Sequence, residues 1–181
     1  MNSTTRDYRN IQFCIGSEQV DLHQLKGLFK GAAFWARERS LEDLETAIRF
    51  SEPVVSVWDG DRMIGFARAT SDGIYRATIW DVVINPDYQG GGLGRKLVQT
   101  VLSHPRMCRV ERVYLMTTYK QSFYERIGFQ CNASTTMVLE NQPIDANMVL
   151  ENQPLDANMV VENQPIDANG EVNFPPVKLT V

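Results

Sequence analysis

The sequence predicts an α/β fold, a mixed and mostly antiparallel central sheet of about seven strands with helices on both faces. Three observations predict it. Short β-branched or alternating runs interchange along the chain with amphipathic stretches of helical period. An Asp59-Gly60-Asp61 turn separates two apolar runs, a strong hairpin signal. Finally, residues 81–94 read DVVINPDYQGGGLG, a buried strand, a terminator and glycines that open an apolar helix face.

The elements follow in order. Residues 11–15 form a first strand, and Val20, Leu22, Leu25, Leu28, Phe29 and Ala32 lie at helical spacing within a helix over 20–37. Ser40, with Asp43 in the capping-box position, starts a second helix over 41–49, which ends before Pro53. Residues 54–58 and 63–69 are the hairpin, and a turn at Ser71-Asp72-Gly73 leads into a long strand, 75–84. Leu93, Leu97, Val98, Val101 and Leu102 form one face of the next helix. A strand over 113–117, a helix over 120–127 and strands over 129–132 and 135–139 complete the set.

Two domains are expected, a folded one over 1–142 and a tail over 143–181. From Met137 the text MVLENQPIDAN recurs at Met148 and Met159 with small changes, a period of eleven residues. Each copy carries a proline, which forbids a continuous helix. Each also has a single apolar triplet, too little to offset the entropy of ordering the remainder, so an extended or disordered tail is expected. The alternative is that later copies occupy the edge taken by the first, or pair with a neighbouring molecule, which leaves a homodimer open.

Composition narrows the function classes. A net charge of −4 without a basic block disfavours nucleic acid as a partner. No apolar run is long enough to span a membrane, and the first ten residues lack a secretory h-region. A cytoplasmic protein is expected, or a mature form in the plastid stroma. Cys14, Cys108 and Cys131 are odd in number and lack C-x-x-C spacing, so neither a disulfide nor a metal site is expected.

Glycines at a helix N-terminus make an oxyanion cradle, because the first N–H groups have no intrahelical partners and the macrodipole is positive there. Gly94 is followed by Arg95-Lys96-Leu97 rather than Lys-Ser/Thr, which excludes a Walker loop. The spacing also fails the G-x-G-x-x-G of a dinucleotide fingerprint. What it fits is Gln/Arg-x-x-Gly-x-Gly/Ala, filled by Gln89, Gly92 and Gly94.

That motif, after a strand ending V-I-N-P and before F-Y-E-R-I-G-F at 123–129, resembles the GNAT superfamily of acyl-CoA-dependent N-acetyltransferases over residues 11–139. The surrounding wording is similar to the cyanobacterial and plastid arylalkylamine (serotonin-type) N-acetyltransferases. The resemblance implies acetyl-CoA as co-substrate and a small primary amine as acceptor. It also implies that the pantetheine arm pairs like an extra strand with Val82, Val83 and Ile84. Backbone N–H groups of Gly90, Gly91, Gly92, Leu93, Gly94 and Arg95, beside Gln89, are then expected to hold the diphosphate. The side chains of Arg95 and Lys96 either add charge or lie on a solvated helix face. Where the family often has an asparagine, this chain has Thr117-Thr118, so a donor contact falls to Thr117 or Ser122.

Acetyl transfer from a thioester to an amine needs a held donor, a neutral amine, a stabilised oxyanion and a proton for the departing thiolate. The Val83 N–H is the first candidate for the oxyanion. Tyr124 is placed by the resemblance near the CoA sulfur. A phenol of pKa about 10 protonates a thiol of pKa about 8.5 at a cost of roughly 2 kcal/mol. Asp81, between Trp80 and Val82, is the candidate base, although a carboxylate of ordinary pKa faces roughly 8 kcal/mol in taking a proton from an ammonium. It would need burial, a water relay or an amine already neutral. The alternative is an aspartate that orients the acceptor or bonds the strand backbone. Phe34, Trp35, Tyr75 and Trp80 could form an apolar slot for an arylalkylamine, or simply be core. The rivals are a protein lysine, N-terminal or polyamine acetyltransferase, and a non-catalytic acyl-CoA-binding module.

Overall fold

A computed structural model describes residues 10–132 and 136–138. The chain separates into two units, 1–132 and 133–181. In the first unit five strands lie in spatial order β1-β2-β3-β4-β5. They are β1 (Ile11–Ile15), β2 (Val54–Asp59), β3 (Arg62–Ser71), β4 (Arg76–Ile84) and β5 (Arg112–Tyr114). The first four pair antiparallel and β5 joins β4 in parallel. The helices are α1 (Leu22–Ala32), α2 (Leu41–Arg49), α3 (Leu93–Leu102) and α4 (Gln121–Glu125). This is the expected mixed, mostly antiparallel α/β sheet, with five strands among the described residues rather than about seven.

Two buried clusters sandwich the sheet. One gathers Val55, Val57, Ile64, Ala77 and Ile79 with Leu97, Val98 and Val101 of α3. The other gathers Leu25, Leu28 and Phe29 of α1 and Leu44 and Ile48 of α2 with Val54, Phe66 and Val83. Each large side chain buried here contributes about 1.5–3 kcal/mol. Local signals agree with the packing. Asp21 caps α1 by accepting from the His23 and Gln24 N–H groups, and Ser40 caps α2 by accepting from Asp43 N–H at 3.0 Å.

Two features of β4 position the site. Its pairing with β5 stops after Thr78↔Tyr114, so among the described residues the edge from Ile79 to Ile84 has no strand beside it. Its register with β3 also slips, because Phe66 faces Val83 while Arg68 faces Trp80. Two steps on β3 match three on β4, which is a β-bulge. Asp81, at φ 55°, is the only non-glycine with positive φ among the described residues. The bulge reverses the facing of the strand. Ala77 and Ile79 belong to the α3-side cluster before it, Val82 and Ile84 pack on that side after it, and Val83 turns to the α1/α2 side.

The structure departs from the expected boundaries in four places. The first helix ends at Ala32 and is followed by a separate 3-10 turn at Phe34–Ala36. The β5 strand ends three residues early because it diverges from β4. The α4 helix is a five-residue stub. Residues 129–132 are not a strand: Gly128 turns at φ 108°, Phe129 N–H returns to Tyr124 O at 3.1 Å, and the Phe129 ring packs edge-on to Tyr124. The residue expected to begin a strand instead closes α4. Of the second unit only 136–138 are described, exposed and not in a strand. The rest of the expected 135–139 strand and the later repeats lie outside the described residues.

Candidate functional site

A cavity of about 580 Å3 opens where β4 and β5 part. Its wall runs from Val82 and Ile84 of β4, through Gln89, Gly90, Gly92, Gly94 and Arg95, to Tyr119, Lys120, Ser122, Phe123, Tyr124, Arg126 and Ile127 around α4. Among the described residues Arg95, Lys120 and Arg126 give this wall three cations, and no carboxylate lines it.

The loop between β4 and α3 is shaped by its own side chains. Asn85 accepts from Asp87 N–H, and its backbone N–H donates to Ile64 O at 2.7 Å. Gln89 Nε2 donates to Ile84 O at 2.9 Å, so this expected ligand contact also ties the loop to the strand end. Gly90 and Gly92 have φ of 86° and 82°, conformations costly for any residue with a Cβ. No side chain caps α3. The first intrahelical bond is Lys96 N–H to Gly92 O, so the N–H groups before it belong to the positive helix end, and Gly92, Gly94 and Arg95 there line the cavity. Gly94 lies against α4: a Cβ there would stand 3.4 Å from Phe123 Cζ, an ordinary van der Waals contact.

Tyr124 lines the cavity between Phe123 and Phe129, ring centroids 4.9 and 5.8 Å away. Burial pushes its phenol above the ordinary 10.0. The proton therefore stays on the oxygen at neutral pH, making Tyr124 a hydrogen-bond donor to a thiolate formed beside it.

Other expected site residues lie elsewhere. The Asp81 carboxylate does not line the cavity. It is 5% exposed on the α1/α2 side, and its Oδ2 accepts from Arg68 Nε at 2.7 Å and from Arg39 Nη1 at 2.9 Å. Arg68 also donates to Ser51 Oγ at 3.0 Å and lies over the Trp80 ring. Among the described residues the partners of this carboxylate are thus two guanidiniums, not the strand backbone that one expectation gave it. Trp80 donates to Thr70 Oγ1 and is not part of the wall. Tyr75 sits at the opposite end of β4, about 20 Å of strand from Asp81, where it cannot share a slot with Trp80. Phe34 and Trp35 are exposed and stack edge-to-face at 5.1 Å, on the connector that leads to Arg39. The Thr117 hydroxyl accepts from Lys120 N–H at the start of α4 and Ser122 lines the cavity. Neither Gly91, Leu93 nor Val83 contributes to the wall, and Lys96 lies over Phe13 instead.

Tyr119, Lys120, Phe123, Arg126 and Ile127 line the cavity without having been singled out. Phe123 and Ile127 stand four apart, as do Ser122 and Arg126, so helical spacing around Tyr124 was the available signal.

Residues 22–129 match the family model for the Acetyltransferase (GNAT) family. The chain is 40% identical over 115 residues to the uncharacterized N-acetyltransferase ycf52-like of Prochlorococcus marinus, covering 61% of this chain and 63% of that one. It is 33% identical over 125 residues to a protein named histone acetyltransferase TAP1 of Glycine max, covering 62% of this chain and 53% of that one. Among solved structures, a putative acetyltransferase from Deinococcus radiodurans R1 superposes with a TM-score of 0.64 at 29% identity, over 76% of this chain and 92% of that one.

Proposed function

The chain belongs to the Acetyltransferase (GNAT) family, and from that premise we propose that it moves an acetyl group from acetyl-CoA to a primary amine by direct attack. One observation carries the reading: an uncapped helix N-terminus with left-handed glycines lies at one end of a cavity that follows a strand edge with no partner among the described residues and that is lined by a tyrosine phenol. The diphosphate fits the N–H groups from Gly90 to Arg95, and Arg95, Lys120 and Arg126 supply charge for the donor's phosphates. The free edge at Val82–Ile84 fits the amide-bearing pantetheine arm as an added strand. A main-chain N–H of that edge meets the thioester oxygen as it becomes anionic, and Tyr124 donates to the departing sulfur. No protein base is required if the amine arrives neutral.

For the acceptor we favour an arylalkylamine of the serotonin or tryptamine type, supported by the exposed Phe34–Trp35 pair on the α1–α2 connector. A protein lysine is the second reading. It is favoured by the exposure of the same pair, 62% and 50%, which suits a macromolecular surface as well as a small ring. Thiol release from acetyl-CoA with serotonin, tryptamine, spermidine, a lysine peptide and an aminoglycoside distinguishes them. Release with the aromatic amines above all supports the first reading and release with the peptide alone the second. Release with none of them, despite CoA binding, would leave a binding module. Among the described residues no helix is long and apolar enough to cross a membrane.

A further inference from the structure

We propose that Asp81 is a positioning residue, whose carboxylate, clamped by Arg39 and Arg68, holds the β4 bulge that presents the strand edge to the donor. This rests on the reading that the cavity takes acetyl-CoA, and it replaces proton transfer as the role of Asp81.

Three observations converge on it. Asp81 adopts φ 55° in the middle of a strand, a conformation that carries strain unless its surroundings enforce it. The enforcing contacts come from two separate elements, Arg68 on β3 and Arg39 on the α1–α2 connector, and both close on Oδ2. Arg68 is itself the residue at which the β3–β4 register slips, so the clamp and the bulge coincide. The bulge also decides what the cavity sees. Without the extra residue, strand alternation would turn Val83 toward α3 and α4 and take Val82 and Ile84 away from the cavity wall.

The clamp has a second consequence. Arg39 lies four residues after Trp35 on the same connector, and Arg39 N–H donates to Ala36 O, so the connector and the donor strand are joined through one carboxylate. Displacing that connector would move the bulge, and displacing the bulge would move the connector.

The test compares Asp81→Asn, Asp81→Gly and Asp81→Ala with the wild-type chain, using CoA in calorimetry and acetyl-CoA with the best amine of the panel in kinetics. Asparagine tolerates positive φ and keeps an oxygen for the guanidiniums, glycine keeps only the conformation, and alanine keeps neither. A positioning role predicts graded loss. Asn falls about tenfold or less in kcat/KM, Gly further, and Ala by about 100-fold, as an ångström-scale misplacement costs. The pH profile of kcat in Asp81→Asn keeps its wild-type shape, and KM for acetyl-CoA rises in the same order as kcat falls. If Asn is as inactive as Ala, or if its acid limb disappears, the carboxylate is the base and the proposal is overturned. Should Ala not fold, the order of Asn and Gly against wild type decides the matter. Failure of the wild-type chain to bind CoA would remove the donor reading and this proposal together, whereas intact CoA binding with Asn inactive removes this proposal alone.

Discussion

Gly92 sits at φ 82° with nothing within 4 Å of where a Cβ would stand, so Gly92→Ala creates no clash. Its cost is the left-handed backbone alone, about 1–2 kcal/mol. Gly73, in the β3–β4 turn far from the cavity, has φ 80° and equally open space. Gly73→Ala should therefore lose the same stability, a fall in melting temperature of about 3–10 °C for either variant. The two differ in what relief of the strain does. Relaxation at residue 92 swings the first N–H groups of α3 away from the cavity mouth. Losing one charge-assisted hydrogen bond to the diphosphate costs about 1.5–3 kcal/mol. That is about a 10- to 150-fold rise in the Kd for CoA. Relaxation at residue 73 touches nothing that the donor meets. Calorimetry with CoA measures the affinities, and melting with CoA gives an independent check, since ligand at 100 times Kd raises stability by about 2.7 kcal/mol. That increment should survive in Gly73→Ala and shrink in Gly92→Ala. Equal CoA affinity in the two variants would refute the cradle.

Tyr124→Phe should lower kcat about 100-fold with little change in KM for acetyl-CoA, measured by thiol release. Because burial raises the Tyr124 phenol, its folded value exceeds its unfolded one, and its contribution to stability is fully present below about pH 10 and lost as pH climbs through the folded value. Urea unfolding between pH 9 and 12, as flagged by the ordinary value of about 10, should show a steeper alkaline loss in wild type than in Tyr124→Phe; parallel curves would argue against a buried phenol. Gly65→Ala would place a Cβ 2.6 Å from Ile84 Cδ1 and 3.0 Å from Val57 Cγ2. Overpacking of this kind costs about 1–3 kcal/mol, and since Ile84 lines the cavity the urea midpoint and CoA affinity should fall together.

Patterns local to a few turns of chain were readable from the sequence. The Ser40–Asp43 cap, the Asp59-Gly60-Asp61 turn and the apolar face from Leu93 to Leu102 each need only neighbours in the chain, and the structure forms all three, the hairpin strands running a residue or two past their expected bounds. The glycine loop was legible for the same reason, since its conformational demand is written as Gly90 and Gly92. Long-range partners were not legible. Nothing beside Asp81 in the sequence announces that Arg39, forty-two positions earlier, and Arg68, thirteen earlier, would close on it. The same blindness grouped Tyr75 with Trp80 as aromatics of one strand, whereas a strand's length separates their ends. The strand expected at 129–132 failed because Gly128-Phe129 serves the helix before it, a competition that apolar alternation alone does not register.

Among the described residues β4 has no strand beside its outer edge beyond Thr78, which leaves a row of main-chain donors and acceptors able to join an extended polypeptide that reaches them. An acyl carrier lying along that row would shield it from other chains. Cellular supply of the carrier would then govern how readily copies of this protein stick together, and a preparation stripped of nucleotide should be the one that clouds first on concentration or warming.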